Sequence, residues 1–172
     1  MLLTDSQVVA KFGDPSPYVL KDGSVGQRWP DSILASVTLP APLPLSWDAK
    51  HTVTRLRVHR KLVGAFRAVF MAVHEDPAAW ASLGDTGGAY AWRPQRGARR
   101  LSRHCWAIAV DLDVADNPMG GRGKMHPAVI AAFAAQGFEW GGVWRTRKDP
   151  MHFEFVDLAR LDSTGASPGP VA

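Results

Sequence analysis

The residues best suited to metal and acid–base chemistry occur in two short segments in the second half of the chain. The first segment places His104 just before an apolar, strand-like stretch that contains Asp111. The second segment has Asp149 and His152 three positions apart, at the entry to another strand-like stretch. Two imidazoles and one carboxylate form a ligand set of catalytic zinc, which keeps a fourth position open for water. The residue types therefore permit a three-ligand zinc site.

Asp111 has small neighbours on its side of the predicted strand. Ala107, Ala109 and Asp111 share one face under the two-residue alternation of a β-strand. A carboxylate that is buried there without a partner would be costly, and a metal ion is one way to satisfy it. A packing or hydrogen-bonding pair of histidine and aspartate is the other way. The spacing alone does not choose between the two.

A zinc site would need a base beside it, and Asp149 is the candidate. Zinc lowers the pKa of bound water to about 7, and a nearby carboxylate can take the proton and pass it to the leaving amine. Glu154 shares a strand face with His152 and is predicted to orient this histidine or to act as an alternative base. An ion pair between Glu154 and an arginine is the competing interpretation.

The two segments together resemble the VanY-like family of zinc peptidases. This family includes D-alanyl-D-alanine carboxypeptidases and dipeptidases, and the L-alanyl-D-glutamate endopeptidases of phage endolysins. Its pattern is Ser-x-His-x-x-Gly-x-Ala-x-Asp, followed later by Glu-or-Asp-x-x-His. The positions that match are Ser102, His104, Ala109, Asp111, Asp149 and His152. The resemblance covers residues 88–156, and the segments Asn117-Pro118, the glycine-rich loop after it, 138–142 and Trp144 are similar to the endolysin branch.

The resemblance implies a role for each matched residue. Zn2+ is expected on His104, Asp111 and His152, with Asp149 as the general base. An arginine upstream of the Ser-x-His motif is expected to stabilise the developing oxyanion, and Arg93 is the best match, with Arg96 next. The glycine of the family is Ala107 here, and its methyl group on a strand is expected to narrow the cleft beside the metal.

The function that the resemblance implies is zinc-dependent hydrolysis of a peptidoglycan stem peptide. Carboxypeptidases of the family tend to have glutamate at the base position and the endopeptidases aspartate, so Asp149 favours the L-alanyl-D-glutamate endopeptidase. A D-alanyl-D-alanine carboxypeptidase is the alternative, and a non-catalytic zinc-binding module is a second class. A nucleic-acid binder is a third class, although no nucleic-acid motif accompanies the basic cluster Arg93, Arg96, Arg99, Arg100 and Arg103.

Several other residues have two interpretations each. Ser102 either orients a ligand or caps a turn. Trp144 and Trp140 either line the substrate groove or pack in the core. Cys105 is expected to be a buried, inert thiol. The histidines outside the two motifs are expected to be structural or exposed; they are His51, His59, His74 and His126.

Length and charge set limits on the class of protein. The 172 residues suit one domain, which we expect at 1–162, followed by a flexible Ser/Gly/Pro tail at 163–172. The net charge of +4 favours an anionic partner without choosing between nucleic acid, membrane and wall polymer. The single cysteine excludes an intrachain disulfide.

The expected location follows from the segments that the sequence lacks. The first 14 residues have no basic start and no long apolar run, unlike a signal peptide. No stretch reaches the roughly 20 apolar residues that span a membrane. We therefore expect a monomeric phage endolysin that acts on peptidoglycan, without nucleic acid or membrane insertion. It would stay in the cytoplasm of a Gram-negative host until lysis and then reach the periplasm and cell wall.

The elements that position the motifs are expected to form an α+β fold. By the resemblance, a small antiparallel sheet carries the zinc site and helices flank it. Apolar spacing predicts helices at 4–12, 52–75 and 127–136, and strands at 106–114 and 152–156. Residues 15–50, with six prolines, are predicted to be irregular apart from short strands near 33–39. A turn is predicted at 85–88.

Overall fold

The computed structural model describes residues 1–98 and 100–163 and shows an α+β fold. The helices are α1 (Asp5–Phe12), α2 (Arg28–Ile33), α3 (Val63–His74), α4 (Pro77–Ala81), α5 (Pro127–Ala135) and α6 (Leu158–Ser163). The strands are β1 (Leu34–Leu45), β2 (Asp48–His59), β3 (Thr86–Gly88), β4 (Ala109–Leu112), β5 (Phe138–Trp140) and β6 (His152–Phe155). The tail was predicted at 163–172, but Ser163 ends helix α6. The rest of that tail, 164–172, and Arg99 lie outside the described residues.

The six strands form one mixed sheet in the order β2-β1-β3-β4-β6-β5. Four neighbouring pairs are antiparallel, whereas β1 and β3 run parallel and pair only at Leu45 and Thr86. The predicted α+β class is confirmed, but the expectation of a purely antiparallel sheet is wrong at that one junction. The junction joins the β1–β2 hairpin to the strands that carry the candidate site.

The first half of the helix predicted at 52–75 is a strand. Strand β2 pairs antiparallel with β1, and Val37 lies opposite Leu56. Leu56 and Val58 are buried, while Arg55 and Arg57 on either side of Leu56 are exposed, which is the two-residue alternation of a sheet. Helical periodicity begins only in α3, which buries Phe66, Val69, Phe70 and Val73. Leu56 and His59 have helical spacing, whereas Leu56 and Val58 have strand spacing, and the pairing with β1 decides the outcome.

Strand β1 is much longer than the short strands predicted near 33–39. It continues through Pro40, Pro42 and Pro44. Its register with β2 shifts between Thr38 and Leu43, and two of the prolines lie in this interruption. Proline lacks the N–H that a sheet ladder needs, so an irregular stretch of a strand can accommodate it.

The predicted turn at 85–88 contains strand β3, which pairs antiparallel with β4. A Cβ atom on Gly87 would lie 2.9 Å from the Cβ of Asp111. Such a contact is too short for any side chain larger than hydrogen, so this glycine lets β3 approach the strand that carries Asp111.

An aromatic cluster packs against strand β6 on one face of the sheet. Phe133 of α5 stacks on Phe153 with ring centroids 4.1 Å apart, and Phe138 contacts Phe133, Phe66 and Phe155 edge to face. Because side chains alternate along a strand, Phe153 and Phe155 enter this core while His152 and Glu154 point to the other face. The predicted helix at 127–136, closed by Gly137 at φ 85°, and the predicted strand at 152–156 are confirmed.

Strand β4 is shorter than predicted because Ala107 is not extended. Trp106 ends a 3₁₀ turn at Arg103–Trp106, and Ala107 follows at φ 52°, ψ 36°, in the left-handed region. The sequence predicted that Ala107, which replaces the glycine of the family, would carry its methyl group on a strand. This prediction is wrong. The methyl group is instead fully buried at a position where glycine would relieve backbone strain.

Ala107→Val is therefore expected to destabilise the protein by about 2 kcal/mol or more, because a β-branched residue strongly disfavours positive φ. On a regular strand, valine would be well accommodated. Urea unfolding should be compared with that of Ile108→Val, which removes one methyl group next door and is expected to cost about 1 kcal/mol. Equal losses of unfolding free energy in Ala107→Val and Ile108→Val would contradict the left-handed conformation of Ala107.

His59 was predicted on the apolar face of a helix, but it ends strand β2. Its Nε2 donates to the carbonyl oxygen of Phe12 at 3.2 Å, and its Nδ1 accepts from the N–H of Lys61 at 3.2 Å. Both bonds require the neutral ring with its proton on Nε2. Burial lowers the pKa of His59 to about 4, against the hydrogen bond to Phe12, which raises it.

The stability of the protein is expected to fall as the pH drops from 6.5 to 4. The unfolded chain takes up a proton at its ordinary pKa of 6.5, before the buried His59 of the folded protein can do so. This difference destabilises the folded state by on the order of 3 kcal/mol at the acid end. A glutamine side chain at this position would keep a donor and not titrate, so His59→Gln should lose less stability between pH 7 and pH 5 in urea unfolding with a chelator present. Equal losses in both proteins would contradict the prediction.

Two further features of the helices bear on earlier expectations. Helix α1 begins at a capping box, in which the Thr4 hydroxyl accepts from the N–H of Gln7 and the Gln7 side-chain oxygen accepts from the N–H of Thr4. Among the described residues, no helix combines the length and the apolar character that a membrane crossing requires.

Candidate metal centre

The three residues predicted to bind zinc converge at the middle of the sheet. Asp111 on β4 pairs directly with His152 on the neighbouring strand β6. His104 comes from the 3₁₀ turn that precedes β4, and the hydroxyl of Ser102 caps this turn by accepting from the N–H of His104 at 3.4 Å. Strand pairing therefore fixes two of the three side chains, and a capped turn fixes the third.

One oxygen of Asp111 faces both imidazoles. Oδ1 of Asp111 lies 3.2 Å from Nε2 of His104 and 2.9 Å from Nδ1 of His152. The three potential ligand atoms all lie within 4.8 Å of one another. His104 and His152 are buried, and Asp111 is half-buried. The donor set is the one that catalytic zinc prefers, so the residues present fit the metal.

Each histidine is oriented by a bond on its far side. Nδ1 of His104 donates to the carbonyl oxygen of Ala89 at 3.0 Å. Nε2 of His152 lies 3.1 Å from Oε2 of Glu154, which is also buried. Partners of this kind leave the other ring nitrogen free to face a metal. Glu154 therefore contacts a histidine, and the competing interpretation of an arginine pair does not hold.

Asp111 and His152 both have shifted pKa values, because they lie next to charged neighbours. Burial raises the pKa of Asp111, but the charges and hydrogen bonds of His104 and His152 outweigh burial and hold this pKa well below its usual value. Burial also opposes the protonation of His152, yet Asp111 and Glu154 on either side raise its pKa to about 10. Without a metal, a proton on His152 therefore offsets part of the negative charge of Asp111 and Glu154.

Asp149 lies on the loop before β6, beside this group. Its Oδ1 is buried and has no hydrogen-bond partner among the described residues. Burial raises the pKa of Asp149, while the charges of His152, His104 and Arg96 partly oppose the rise. The backbone of Asp149 packs so closely on Gly141 that a Cβ atom there would meet the Asp149 carbonyl oxygen. Gly141 therefore allows the loop to hold this carboxyl group in place.

Arg93 reaches the centre from the opposite segment. Its Nη2 lies 3.7 Å from Oδ2 of Asp111, and its side chain is partly exposed. The backbone of Arg93 is held by Cys105, whose Sγ donates to the Arg93 carbonyl oxygen at 3.2 Å. Cys105 is fully buried, and burial raises the pKa of its thiol, as expected for an inert cysteine.

Trp144 packs beside the candidate metal ligands. Its ring centroid lies 5.5 Å from that of His152, and its Nε1 donates to Oε1 of Glu139 at 3.0 Å. Trp140 is partly buried and donates to the Pro150 carbonyl oxygen. Trp144 therefore lies at the candidate site, as one of its two interpretations required.

A cavity of about 790 Å³ lies beside the centre and reaches it at His152. The predicted site residues Arg93, Ser102, Trp144, Asp149, His152 and Glu154 line it. Two residues that the sequence motifs did not single out, Arg145 and Arg147, also line the cavity. Their position next to the Asp-x-x-His motif was the available signal, because a loop that leads into a site usually forms one of its walls.

The remaining histidines lie away from the group of three. His51 is exposed and contacts Asp48, and His74 is exposed beside Trp80. His126 caps helix α5 by accepting from the N–H of Ala128. Among residues 1–98 and 100–163, the group of potential metal ligands is His104, Asp111 and His152.

Residues 96–155 match a family model described as D-alanyl-D-alanine carboxypeptidase. The matched segment contains the three candidate ligands and Asp149, whereas Arg93 lies just before it. Peptidases of this family depend on zinc, and the chain brings a suitable His-Asp-His group together. The match therefore supports a peptidoglycan-acting metallopeptidase of the family that the two motifs resemble.

Proposed function

We propose that this protein is a zinc-dependent peptidoglycan endopeptidase that hydrolyses the L-alanyl-D-glutamate bond of the stem peptide. The observation that carries the proposal is a His-Asp-His group beside a carboxyl oxygen of Asp149 that is buried and unpartnered among the described residues, at a cavity that His152 and Asp149 line. A purely structural zinc site has four protein ligands and no use for an adjacent free carboxyl group. A non-catalytic zinc module would leave Asp149 unexplained.

The metal contributes one part of the chemistry. Bound by His104, Asp111 and His152, zinc would supply a Lewis acid and lower the pKa of a water molecule. Asp149 would accept a proton at its carboxylate and return it to the leaving amine. Burial raises the pKa of Asp149, and the raised pKa suits both steps. A carboxylate of very low pKa would accept a proton poorly and would release it too readily.

Arg93 would hold the substrate carbonyl from the other side. A guanidinium 3.7 Å from Asp111 is near the position where negative charge develops on the carbonyl oxygen. The hydrogen bond from the Cys105 thiol to the Arg93 carbonyl oxygen limits the movement of the Arg93 backbone and so of its guanidinium group. Arg93 is favoured over Arg96 because Arg93 contacts Asp111, whereas the side chain of Arg96 is exposed.

The proposal of the L-alanyl-D-glutamate bond as the one that is cut rests on the residue type of the proposed general base, Asp149. Aspartate at position 149 is typical of the endopeptidases that the sequence resembles, and its shorter side chain must lie closer to the reacting water. The description of the matching family model favours a second candidate, a D-alanyl-D-alanine carboxypeptidase. That enzyme would remove a terminal D-alanine and leave the wall intact.

Mass spectrometry of digested peptidoglycan separates these functions. The expected result is chelator-sensitive release of fragments with a new N-terminal D-glutamate. Release of free D-alanine alone would replace the proposal by the carboxypeptidase. Absence of any chelator-sensitive product from several wall types would refute the peptidase and favour the binding module.

We further propose that this activity serves phage lysis, as the similarity to the endolysin branch suggests. The protein is then expected to clear suspensions of Gram-negative cells whose outer membrane has been permeabilised. Turbidity measured with and without a chelator tests this role. Cleavage of purified peptidoglycan without any clearing of such cells would assign the enzyme to wall remodelling instead.

A further inference from the structure

The cavity beside the candidate metal centre is rich in arginine. Six arginines and three carboxylates line it, and the arginines come from two segments that are far apart in the chain. They are Arg93, Arg96, Arg100 and Arg103 from the first segment, and Arg145 and Arg147 from the second. Such an excess of positive charge in a concave site favours an anionic ligand.

Three of these arginines already have a structural role. Arg103 binds Oδ1 of Asp5 at 2.8 Å and the Leu3 carbonyl oxygen. Arg100 bonds the side chain of Gln95. Arg147 donates to the carbonyl oxygen of Arg96 at 2.6 Å and so ties the two segments to each other. These arginines shape the cavity wall.

The guanidinium groups of Arg96 and Arg145 differ from the others. Both side chains are exposed and, within 1–98 and 100–163, neither has a hydrogen-bond or ion-pair partner. Two of the three cavity carboxylates are engaged elsewhere, because Glu154 contacts His152 and Glu139 accepts from Trp144. The third belongs to Asp149, whose Oδ1 has no hydrogen-bond partner among the described residues. The bond from Arg147 to the Arg96 backbone holds both segments at one cavity, so two free cations face the same space.

The position of these two arginines relative to the reaction follows from Asp149. Arg145 lies on the loop that carries Asp149, four residues before it, and Arg147 of the same loop donates to the carbonyl oxygen of Arg96. Under the proposed function, Asp149 returns its proton to the leaving amine. Arg96 and Arg145 therefore lie on the side of the cavity that receives the amine half of the substrate.

The amine half of the proposed substrate carries a free carboxylate at that place. In an L-alanyl-γ-D-glutamyl peptide, the carbon that bears the scissile nitrogen also bears the unlinked α-carboxylate. We propose that Arg96 and Arg145 form a subsite that binds this α-carboxylate, an inference that rests on the proposed peptidase function. Terminal D-alanine presents the same group, so the subsite would serve either bond, and guanidinium groups match a carboxylate in geometry and charge.

The test compares two synthetic stem peptides that contain the L-alanyl-γ-D-glutamyl bond, one with a free α-carboxylate and one with an α-amide. The zinc-loaded wild-type protein is compared with Arg96→Gln, Arg145→Gln and Arg67→Gln. Arg67 is an exposed arginine on α3 that does not line the cavity and so provides the matched control. An acyl-D-alanyl-D-alanine peptide, run in parallel, shows which of the two bonds supplies the carboxylate.

Each cavity variant is expected to raise KM for the free-carboxylate peptide about tenfold, the usual loss for one charge-assisted hydrogen bond. The amidated peptide should bind the wild-type protein more weakly and show no further change in the variants. Arg67→Gln should match the wild type on both peptides. Equal effects of the cavity variants on both peptides, or no effect on either, would overturn the subsite.

Calorimetric binding of the same peptides keeps this test independent of hydrolysis. If the wild-type protein cleaves neither bond, the peptidase proposal fails, and binding that depends on both the α-carboxylate and Arg96 or Arg145 would still support the subsite. Binding of a short DNA oligonucleotide that these variants weaken, without any dependence on the peptide carboxylate, would overturn the subsite in favour of a phosphate polymer.

Discussion

Asp149→Asn is expected to lower kcat for stem-peptide hydrolysis by about a thousandfold, within the range of general acid–base catalysis. Asparagine has the same shape but cannot accept a proton from water or return one to an amine. Because Oδ1 of Asp149 has no hydrogen-bond partner among the described residues, the substitution breaks no bond that holds the loop. Zinc content and unfolding free energy should therefore stay close to those of the wild type.

The matched control is Asp116→Asn, which neutralises an exposed aspartate whose partner is Lys124 at 3.5 Å. This control should keep full activity. Activity is measured on a synthetic stem peptide, with zinc quantified in the same samples. Full wall-lytic activity of Asp149→Asn would refute the role of Asp149 as base and direct attention to Glu154.

The second large effect is expected on metal binding. His104→Ala removes one of three ligands and should weaken zinc binding on the order of a thousandfold, if the ligands share the binding free energy about equally. Asp111 would keep its contact with His152 at 2.9 Å, so the remainder of the group stays assembled. The loss should therefore appear in the zinc dissociation constant, measured by competition with a chelator.

Some loss of stability is also expected, because the buried ring of His104 bonds the Ala89 carbonyl oxygen. His126→Ala is the control: it removes a histidine whose Nδ1 caps helix α5 and costs about 1 kcal/mol without touching the metal group. Zinc affinity of His126→Ala should equal that of the wild type. If His104→Ala also kept wild-type zinc affinity, the metal would lie elsewhere in the chain.

The two variants together separate the functions under discussion. A catalytic zinc site predicts that Asp149→Asn retains zinc without activity and that His104→Ala loses both. A non-catalytic module predicts that only His104→Ala changes the protein measurably. A nucleic-acid binder that uses the arginine cluster predicts that neither substitution alters DNA affinity.

The sequence by itself determined the parts of the site that depend on short segments. The spacing from Ser102 to Asp111 and from Asp149 to His152 indicated which residue types could bind zinc and accept a proton, and the structure brings them together. Helix α1 and strand β6 were also predicted, because a clear apolar period is a local signal.

Only the tertiary structure decided the features that depend on distant partners. Residues 52–59 form a strand because β1 offers a pairing edge, although their apolar spacing also suits a helix. Ala107 adopts the left-handed conformation because the 3₁₀ turn must place His104 opposite Asp111. The alternating apolar pattern of the sequence around Ala107 does not reveal this bend of the backbone. Arg145 and Arg147 join the upstream arginines at one cavity because the two loops that carry them meet in space, and sequence separation hides that meeting.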